Sequence, residues 1–254
     1  MGRMSTHPAA HALIEARRTH RHAVAADSPI ADASAAYAVQ ADVAQALGWF
    51  EGPAPGTWKS GGPSLAAGLT HARLPPAGVW ASPAEAADWP FHIRGIEAEI
   101  ALRLGRDVDA ALAAGLDAEA AARLVESMCV SIEVVDTRWV EGLGAPAYAK
   151  LADLQCHGAL VLGDWVPYAA RGWATQRCTV QIGAQPLVER VGTHSLGDPV
   201  RVLPLWLQHA TRDGATVPAG SVVTTGTWVG VLHATRGEAV TARFEGVGSA
   251  TLQL

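Results

Sequence analysis

The run from residue 95 to 104, Gly-Ile-Glu-Ala-Glu-Ile-Ala-Leu-Arg-Leu, limits the fold more than any other stretch of the chain. Ile96, Ala98, Ile100, Leu102 and Leu104 alternate with Glu97, Glu99, Ala101 and Arg103. A period of two marks a strand with one buried face. Side chains at i and i+2 share a face, so Glu97 and Glu99 point the same way, about 7 Å apart at the backbone. A second strand is predicted over 130–136, Val-Ser-Ile-Glu-Val-Val-Asp. It sets Glu133 in an apolar run, where an unpaired carboxylate is costly to desolvate. Three such carboxylates suit one hard divalent cation, Mg2+ or Mn2+, with positions left for water or substrate. Spacing alone also fits plainer readings, and favours them: a solvated acidic face for Glu97 and Glu99, and an arginine partner or a sheet edge for Glu133.

Upstream the period is helical. Pro8 opens a first helix with an apolar stripe of Ala9, Leu13, Ile14 and Ala16. Ser34 is predicted to cap a second, with Tyr37, Val39, Val43, Ala44 and Leu47 on its buried side and Gly48 at its end. Residues 51–56, Glu-Gly-Pro-Ala-Pro-Gly, read as a turn, and 58–64, Trp-Lys-Ser-Gly-Gly-Pro-Ser, as a site loop. A helix is predicted from an Asp117 cap to Met128. Beyond Gly158 short strands dominate: 159–162, 175–182, 187–190, 222–225, 229–233, 240–244 and 249–254. One helix, capped by Asp198 with Pro199 in its first turn, runs to Ala210 and should kink at Pro204. Many strands with few, non-alternating helices predict an α+β fold on a mixed, rolled, barrel-like sheet rather than a parallel doubly wound one. A helical region, 1–57, packs on a mixed-β domain, 58–254.

Of the 254 residues 49% are hydrophobic and 17% charged, which suits a globular core and excludes a disordered chain. The net charge of −5, with no Lys/Arg cluster, argues against nucleic acid as a partner. Cys129, Cys156 and Cys178 lie far apart without metal-ligand spacing and read as free thiols of a reducing compartment. The start lacks the apolar core of a signal peptide, and Gly or charge breaks every long apolar run, so a soluble cytoplasmic protein without a membrane span is expected. His71, His92, His157, His194 and His233 show no paired metal spacing and are read as structural or surface residues.

Residues 95–107, the strand above continued by Gly-Arg-Asp, resemble the metal-binding strand of the 2-keto-4-pentenoate hydratase / 4-oxalocrotonate decarboxylase family, within the fumarylacetoacetate hydrolase superfamily. Residues 132–138, Ile-Glu-Val-Val-Asp-Thr-Arg, resemble its third-ligand segment. Leu151-Ala152-Asp153, followed by Gly-Ala-Leu-Val-Leu-Gly at 158–163, is similar to its LADN…G…VLG stretch. Trp58-Lys59 with Gly61 and Ser64 resembles its YK-x-G-x-T-S loop, and Asp32, Tyr37, Val39 and Gln40 its N-terminal helix. Gly197-Asp198-Pro199, Trp206-Leu207 and 218–226 resemble its C-terminal half, so the similarity runs in order along almost the whole chain.

The resemblance implies a fumarylacetoacetate hydrolase-type fold with Mg2+ or Mn2+ on Glu97, Glu99 and Glu133. It implies Lys59, Asp153 and Ser64 as catalytic residues and Trp58, Leu154 and Cys156 as substrate contacts. Lys59 would offset an anionic substrate, or act as acid or base if burial lowered its pKa, and Asp153 would hold Lys59 or a water. Four positions depart from the pattern: Trp58 for Tyr, Pro63 for Thr, Leu154 for Asn, and Cys156 where some members carry Ser. They bear on substrate rather than on the metal carboxylates. The implied activity is hydration of a 2-hydroxy-2,4-dienoate in the meta-cleavage catabolism of aromatics. The alternatives are decarboxylation of a 2-oxo-3-enedioate, acylpyruvate-type hydrolysis, for which no Glu–His water-activating pair is visible, and a non-catalytic partner subunit, against which the retained glutamates and Lys59 speak. A homo-oligomer, and association with a partner enzyme of the same pathway, are also implied.

Overall fold

The computed structural model describes residues 7–50 and 54–254, so the turn reading at 51–53 and the reading of the first six residues lie outside the described part. Helix α1 (Pro8–Thr19) begins on its proline and buries Ala9, Ala10 and Leu13. Helix α2 (Ala33–Ala46) is capped by Asp32, whose carboxylate accepts from the Ala35 amide at 2.8 Å. The cap is therefore two residues earlier than the expected Ser34, because the Asp32 carboxylate reaches a free first-turn donor. Gly48, at φ 63°, takes the left-handed turn that ends this segment. The apolar faces of both helices close on Trp139, Ala149 and Leu151, a core of their own beside the main one.

The period-two reading of 95–104 matches strand for strand. Following β1 (Thr57–Gly61), β2 (Thr70–Arg73), β3 (Val79–Ala81) and β4 (Ala84–Glu85), strand β5 spans Gly95–Leu104. It pairs along its length with antiparallel β6 (Val125–Val135). β7 (His157–Leu162) lies on the other side of β6, with β8 (Val166–Pro167) at its start. Strands β9 (Arg177–Ile182), β10 (Val188–Val191), β11 (Val222–Thr224), β12 (Leu232–His233), β13 (Ala239–Phe244) and β14 (Gly248–Gln253) complete the described set. The larger sheet runs β2-β1-β11-β5-β6-β7-β3, with β12 on β5; the smaller runs β10-β9-β13-β14-β4. Pairs β1/β11, β3/β7 and β14/β4 are parallel and the others antiparallel, so the sheets are mixed as expected. Ile96, Ala98, Ile100, Val130, Ile132 and Val134 on one face of the large sheet join Val180, Val240, Ala242 and Leu252 of the small one in a single core. The large sheet curls into a half barrel over this core, and its opposite face carries Glu97, Glu99 and Glu133.

Three local readings need correction. Asp117 does cap a helix, accepting from the Ala120 amide at 2.7 Å, but the helix is only Ala118–Ala122. Val125, Ser127 and Met128 instead pair with Leu104, Arg103 and Leu102, because the long apolar β5 needs a partner of matching length. The stretch from Thr57 to Gly61 is strand rather than loop, held parallel to β11. The helix after Asp198 is two pieces: a 3-10 turn Pro199–Val202, then Leu203–Ala210 with Pro204 in its first turn, where a missing amide costs nothing. Among the described residues no helix is long and apolar enough to cross a membrane, and all three cysteines are free and buried.

Candidate metal centre

The register of the two longest strands builds the site. Glu97 lies directly opposite Glu133, and Glu99 opposite Ser131. Opposed residues on one face are the closest neighbours a sheet provides. The three glutamates each bring a carboxylate oxygen within 4.8 Å of the others. Glu133 and Glu99 are buried, while Glu97 is partly exposed on the wall of a cavity of about 500 Å3 that also takes in Lys59, Thr70, Gln155 and Thr224.

Each carboxylate is held from behind. Glu99 Oε2 accepts from the Thr224 hydroxyl and from the Gly226 amide at 3.0 Å. The Ser131 and Thr224 hydroxyls are 2.9 Å apart, tying β6 to β11 across β5. Glu133 Oε1 accepts from Lys59 Nζ and lies 3.1 Å from His157 Nδ1. Lys59 Nζ also donates to the Gln155 carbonyl at 3.1 Å. Burial, with Glu99 and Glu133 alongside, pushes the Glu97 carboxyl up to about 8. Burial and Glu133 push Glu99 up to about 7. Burial works on Glu133 in the same direction, but the Lys59 ammonium and His157 outweigh it and hold Glu133 below its ordinary value.

The donor set suits one cation. Glu133 Oε2 is buried and has no hydrogen-bond partner. An orphaned carboxylate oxygen among three hard oxygen donors fits a divalent ion of the Mg2+, Mn2+ or Ca2+ kind, and not a zinc site, which favours nitrogen or sulfur.

The other expected site residues divide. Lys59 lines the cavity, yet not as a lysine of lowered pKa: burial pulls it down, but Glu133 and Glu97 outweigh burial and raise it, which favours the ammonium form. Asp153 does not hold Lys59. It is fully buried and accepts from Arg138 Nε and Arg17 at 2.8 Å, and from the Arg138 amide at 2.9 Å. Ser64 is half-buried, its hydroxyl accepting from the Ala67 amide at 3.2 Å, an ordinary turn contact. Trp58 and Leu154 line a different cavity with Tyr37 and His209, since neighbours on a strand face opposite ways and Lys59 faces the glutamates. Cys156 is buried against the same turn, and burial raises its thiol to about 11, which keeps it protonated.

That turn is unusual. Leu154, Gln155 and Cys156 have φ of 53°, 55° and 59°, three successive non-glycine residues in the left-handed region. Such residues cost roughly 1–2 kcal/mol each. The strain aims the Gln155 carbonyl at Lys59 and its side-chain amide at the Thr70 hydroxyl, inside the cavity wall. His157, Gln155, Thr224 and Gly226 were not legible as site residues. Only the position of Gln155 beside Asp153 could have drawn attention to it.

A family model for the fumarylacetoacetate hydrolase C-terminal region matches residues 74–254. No curated protein matches the sequence. The fold is similar to that of 4-oxalocrotonate decarboxylase from Pseudomonas putida G7 complexed with magnesium and adipate, with a TM-score of 0.80 and 17% identity over 96% of this chain and 95% of that one. The same enzyme complexed with calcium and acetate gives 0.79 and 18%, over 96% and 95%. The 5-carboxymethyl-2-hydroxymuconate delta-isomerase from Mycobacterium smegmatis gives 0.51 and 16%, over 79% of this chain and 78% of that one. At these identities the likeness is one of fold.

Proposed function

The chain belongs to the fumarylacetoacetate hydrolase family, and from that premise we propose that it is a metal-dependent hydratase adding water to a 2-hydroxy-2,4-dienoate of the kind formed in meta-cleavage of aromatic rings. The observation that carries this reading is the convergence of Glu97, Glu99 and Glu133 beside the Lys59 ammonium, with Glu97, Glu99 and Lys59 lining one cavity. A divalent ion held by the three carboxylates supplies Lewis acidity toward the carboxylate and keto oxygens of a 2-oxo acid, where enolate charge gathers. Thr224 and the Gly226 amide fix Glu99, and Lys59 and His157 fix Glu133, so the ligand set is positioned before substrate arrives.

Charge favours hydration over decarboxylation. Three carboxylates, one ammonium and one dication cancel, so a monoanionic dienoate leaves one surplus negative charge and an enedioate leaves two. Among the described residues Lys59 is the one cation lining the cavity. Gln155, Ser195 and Thr227 offer neutral polar groups to the far end of a substrate, which suits a monocarboxylate. Decarboxylation of a 2-oxo-3-enedioate is the second reading, favoured by the fold likeness to a decarboxylase complexed with adipate, a dicarboxylate.

The purified protein with Mg2+ and 2-hydroxypenta-2,4-dienoate should lose dienoate absorbance without releasing CO2, and excess chelator should stop it. Faster CO2 release from the enedioate would move the assignment to the decarboxylase, and no turnover of either acid would sink both. Lys59→Met is expected to lower kcat by roughly 100-fold, since it removes the charged donor beside the developing negative charge. Unchanged turnover with metal still bound would reject that role.

A further inference from the structure

On the sheet face turned away from Lys59, a cavity of about 550 Å3 lies between α2, strands β1 and β2, and the end of the helix Leu203–Ala210. Trp58 and Arg73 are direct partners in the β1/β2 register, so both sit on that face. Tyr37, Ala41, Ala44 and Gly48 follow helical spacing along α2 and just past its end, and the last three are too small to fill the space opposite them. We propose that this cavity binds a small organic carboxylate, with its charged end at Arg73 and Arg212 and its apolar body against Ala44, Leu154 and Trp58.

The charge of the ligand follows from the wall. Among the described residues two arginines line the cavity and no carboxylate does. Arg73 Cζ lies 4.3 Å from the centroid of the Phe50 ring, and Arg212 Cζ 5.4 Å from that of Tyr37; both rings belong to the same wall. Arg73 is poorly satisfied. Its hydrogen bond among the described residues is a long one, from Nη2 to the Ala54 carbonyl at 3.5 Å. Its Nε is enclosed without a partner, so only the terminal nitrogens can meet an anion. Burial lowers the Arg73 pKa, and no described carboxylate raises it. Arg212 has Asp213 beside it, but at 3.9 Å and with side chains 48% and 91% exposed, a pair too solvated to cancel its charge.

The neighbouring polar groups favour an acceptor too. The Tyr37 hydroxyl accepts from the His71 amide at 3.2 Å, which leaves its own proton to donate. Burial and the Arg212 guanidinium push His209 down to about 4, so it stays neutral and adds no charge. Size and lining make the anion an organic one. Phosphate or sulfate would leave most of the 550 Å3 empty, whereas Ala44, Leu154 and Trp58 offer apolar surface to a larger body. A carboxylate is the planar partner that a guanidinium fork matches best.

The test needs neither turnover nor metal. Calorimetry and NMR on metal-free, full-length protein compare benzoate, benzyl alcohol, benzylammonium and inorganic phosphate. Benzoate should bind with Kd of about 1 mM, and the other three roughly tenfold more weakly or not at all. Arg73→Met should weaken benzoate about tenfold, and Arg73→Lys, which keeps the charge but not the fork, about threefold. Arg212 and Ala41 are exposed, so their variants should fold normally; Arg212→Met should weaken benzoate about threefold and Ala41→Trp should block it. Lys59→Met, on the opposite face of β1, should leave benzoate binding unchanged, which separates this cavity from the metal centre. Benzyl alcohol, benzylammonium or phosphate binding as tightly as benzoate, benzoate binding lost in Lys59→Met, benzoate unmoved by both Arg212→Met and Ala41→Trp, or no benzoate binding at all would overturn the proposal. So would binding seen only in Glu51→Gln, since Arg73 would then already have a carboxylate partner outside the described residues.

Discussion

Asp153→Asn is expected to lower the stability of the fold by about 3–5 kcal/mol, the usual cost of breaking a buried ion pair from one side. Asp153 is fully buried and is the only carboxylate among the described residues that touches both Arg17 and Arg138. Its oxygens also accept from the Thr137 hydroxyl at 3.3 Å and the Arg138 amide at 2.9 Å. An amide keeps the shape and some of these hydrogen bonds but leaves a surplus positive charge in the interior. The damage should spread in two directions. Arg17 belongs to α1, so the clamp of the N-terminal helices on the sheet weakens. Asp153 also begins the left-handed turn that aims Gln155 at Lys59, so the cavity wall loosens. Urea unfolding of the two proteins checks the prediction, and a loss below about 1 kcal/mol would mean that water shares these charges. Arg17→Met should cost less, since Arg138 still neutralises Asp153.

Why Asp153 was misread shows where sequence reasoning stops. Glu97 and Glu99 were legible because alternation is local, and Glu133 because a carboxylate in an apolar run demands a partner. Asp153 carries no such signal, and its partner Arg17 is 136 residues away. His157 reaches Glu133 only through the β6/β7 register, which slips between Val134 and Val135. Such a slip changes which face a side chain takes and cannot be read from spacing. The sequence sets Trp58 and Lys59 side by side in an expected loop; in the strand at 57–61 the period of two sends them to opposite faces. The expected helix runs past Ala118–Ala122 because the apolar residues that follow suit a helix and a buried strand alike.

The departure at Leu154 acquires a backbone explanation. Its φ of 53° is a conformation that Asn tolerates better than other side chains. The Asn expected there from the resemblance suits the turn itself, and Leu154 lines a cavity other than the one at the glutamates. Leucine gives up that tolerance and is held in place instead by burial against Ala72, Leu74 and Leu160. The turn, and with it the Gln155 carbonyl that Lys59 needs, is thus preserved by packing where a better-suited backbone residue is missing.

Without metal, the fold should lose stability as pH rises from about 4.5 to about 8, and added Mg2+ should reverse the trend. Folding raises the Glu97 carboxyl to about 8 and Glu99 to about 7 from an ordinary 4.5, because burial and mutual repulsion disfavour their charged forms. A group raised by folding contributes stability that is complete below its unfolded value and lost as pH rises through its folded one. Glu133 runs the other way: held low by Lys59 and His157, it contributes above its ordinary value and loses that contribution only in acid. Each pKa unit is worth about 1.4 kcal/mol, so the fall across the window is several kcal/mol, on the order of 8 if the two groups titrated independently. A divalent ion needs all three carboxylates ionised, so below about pH 8 it must displace protons, and Mg2+ affinity should climb with pH and level off near 8. Glu133→Gln should cost Mg2+ more than the roughly 100-fold lost with a merely supporting residue. It should not steady the apo fold, although it removes a buried charge from an apolar strand, because it strips Lys59 of its partner. Melting curves with and without Mg2+ at pH 5 to 8.5, beside calorimetric titrations in buffers of different ionisation enthalpy, test the whole chain of reasoning. Mg2+ stabilisation that is constant across that range, or Mg2+ binding without proton release at neutral pH, would mean that the three glutamates are not the ligands.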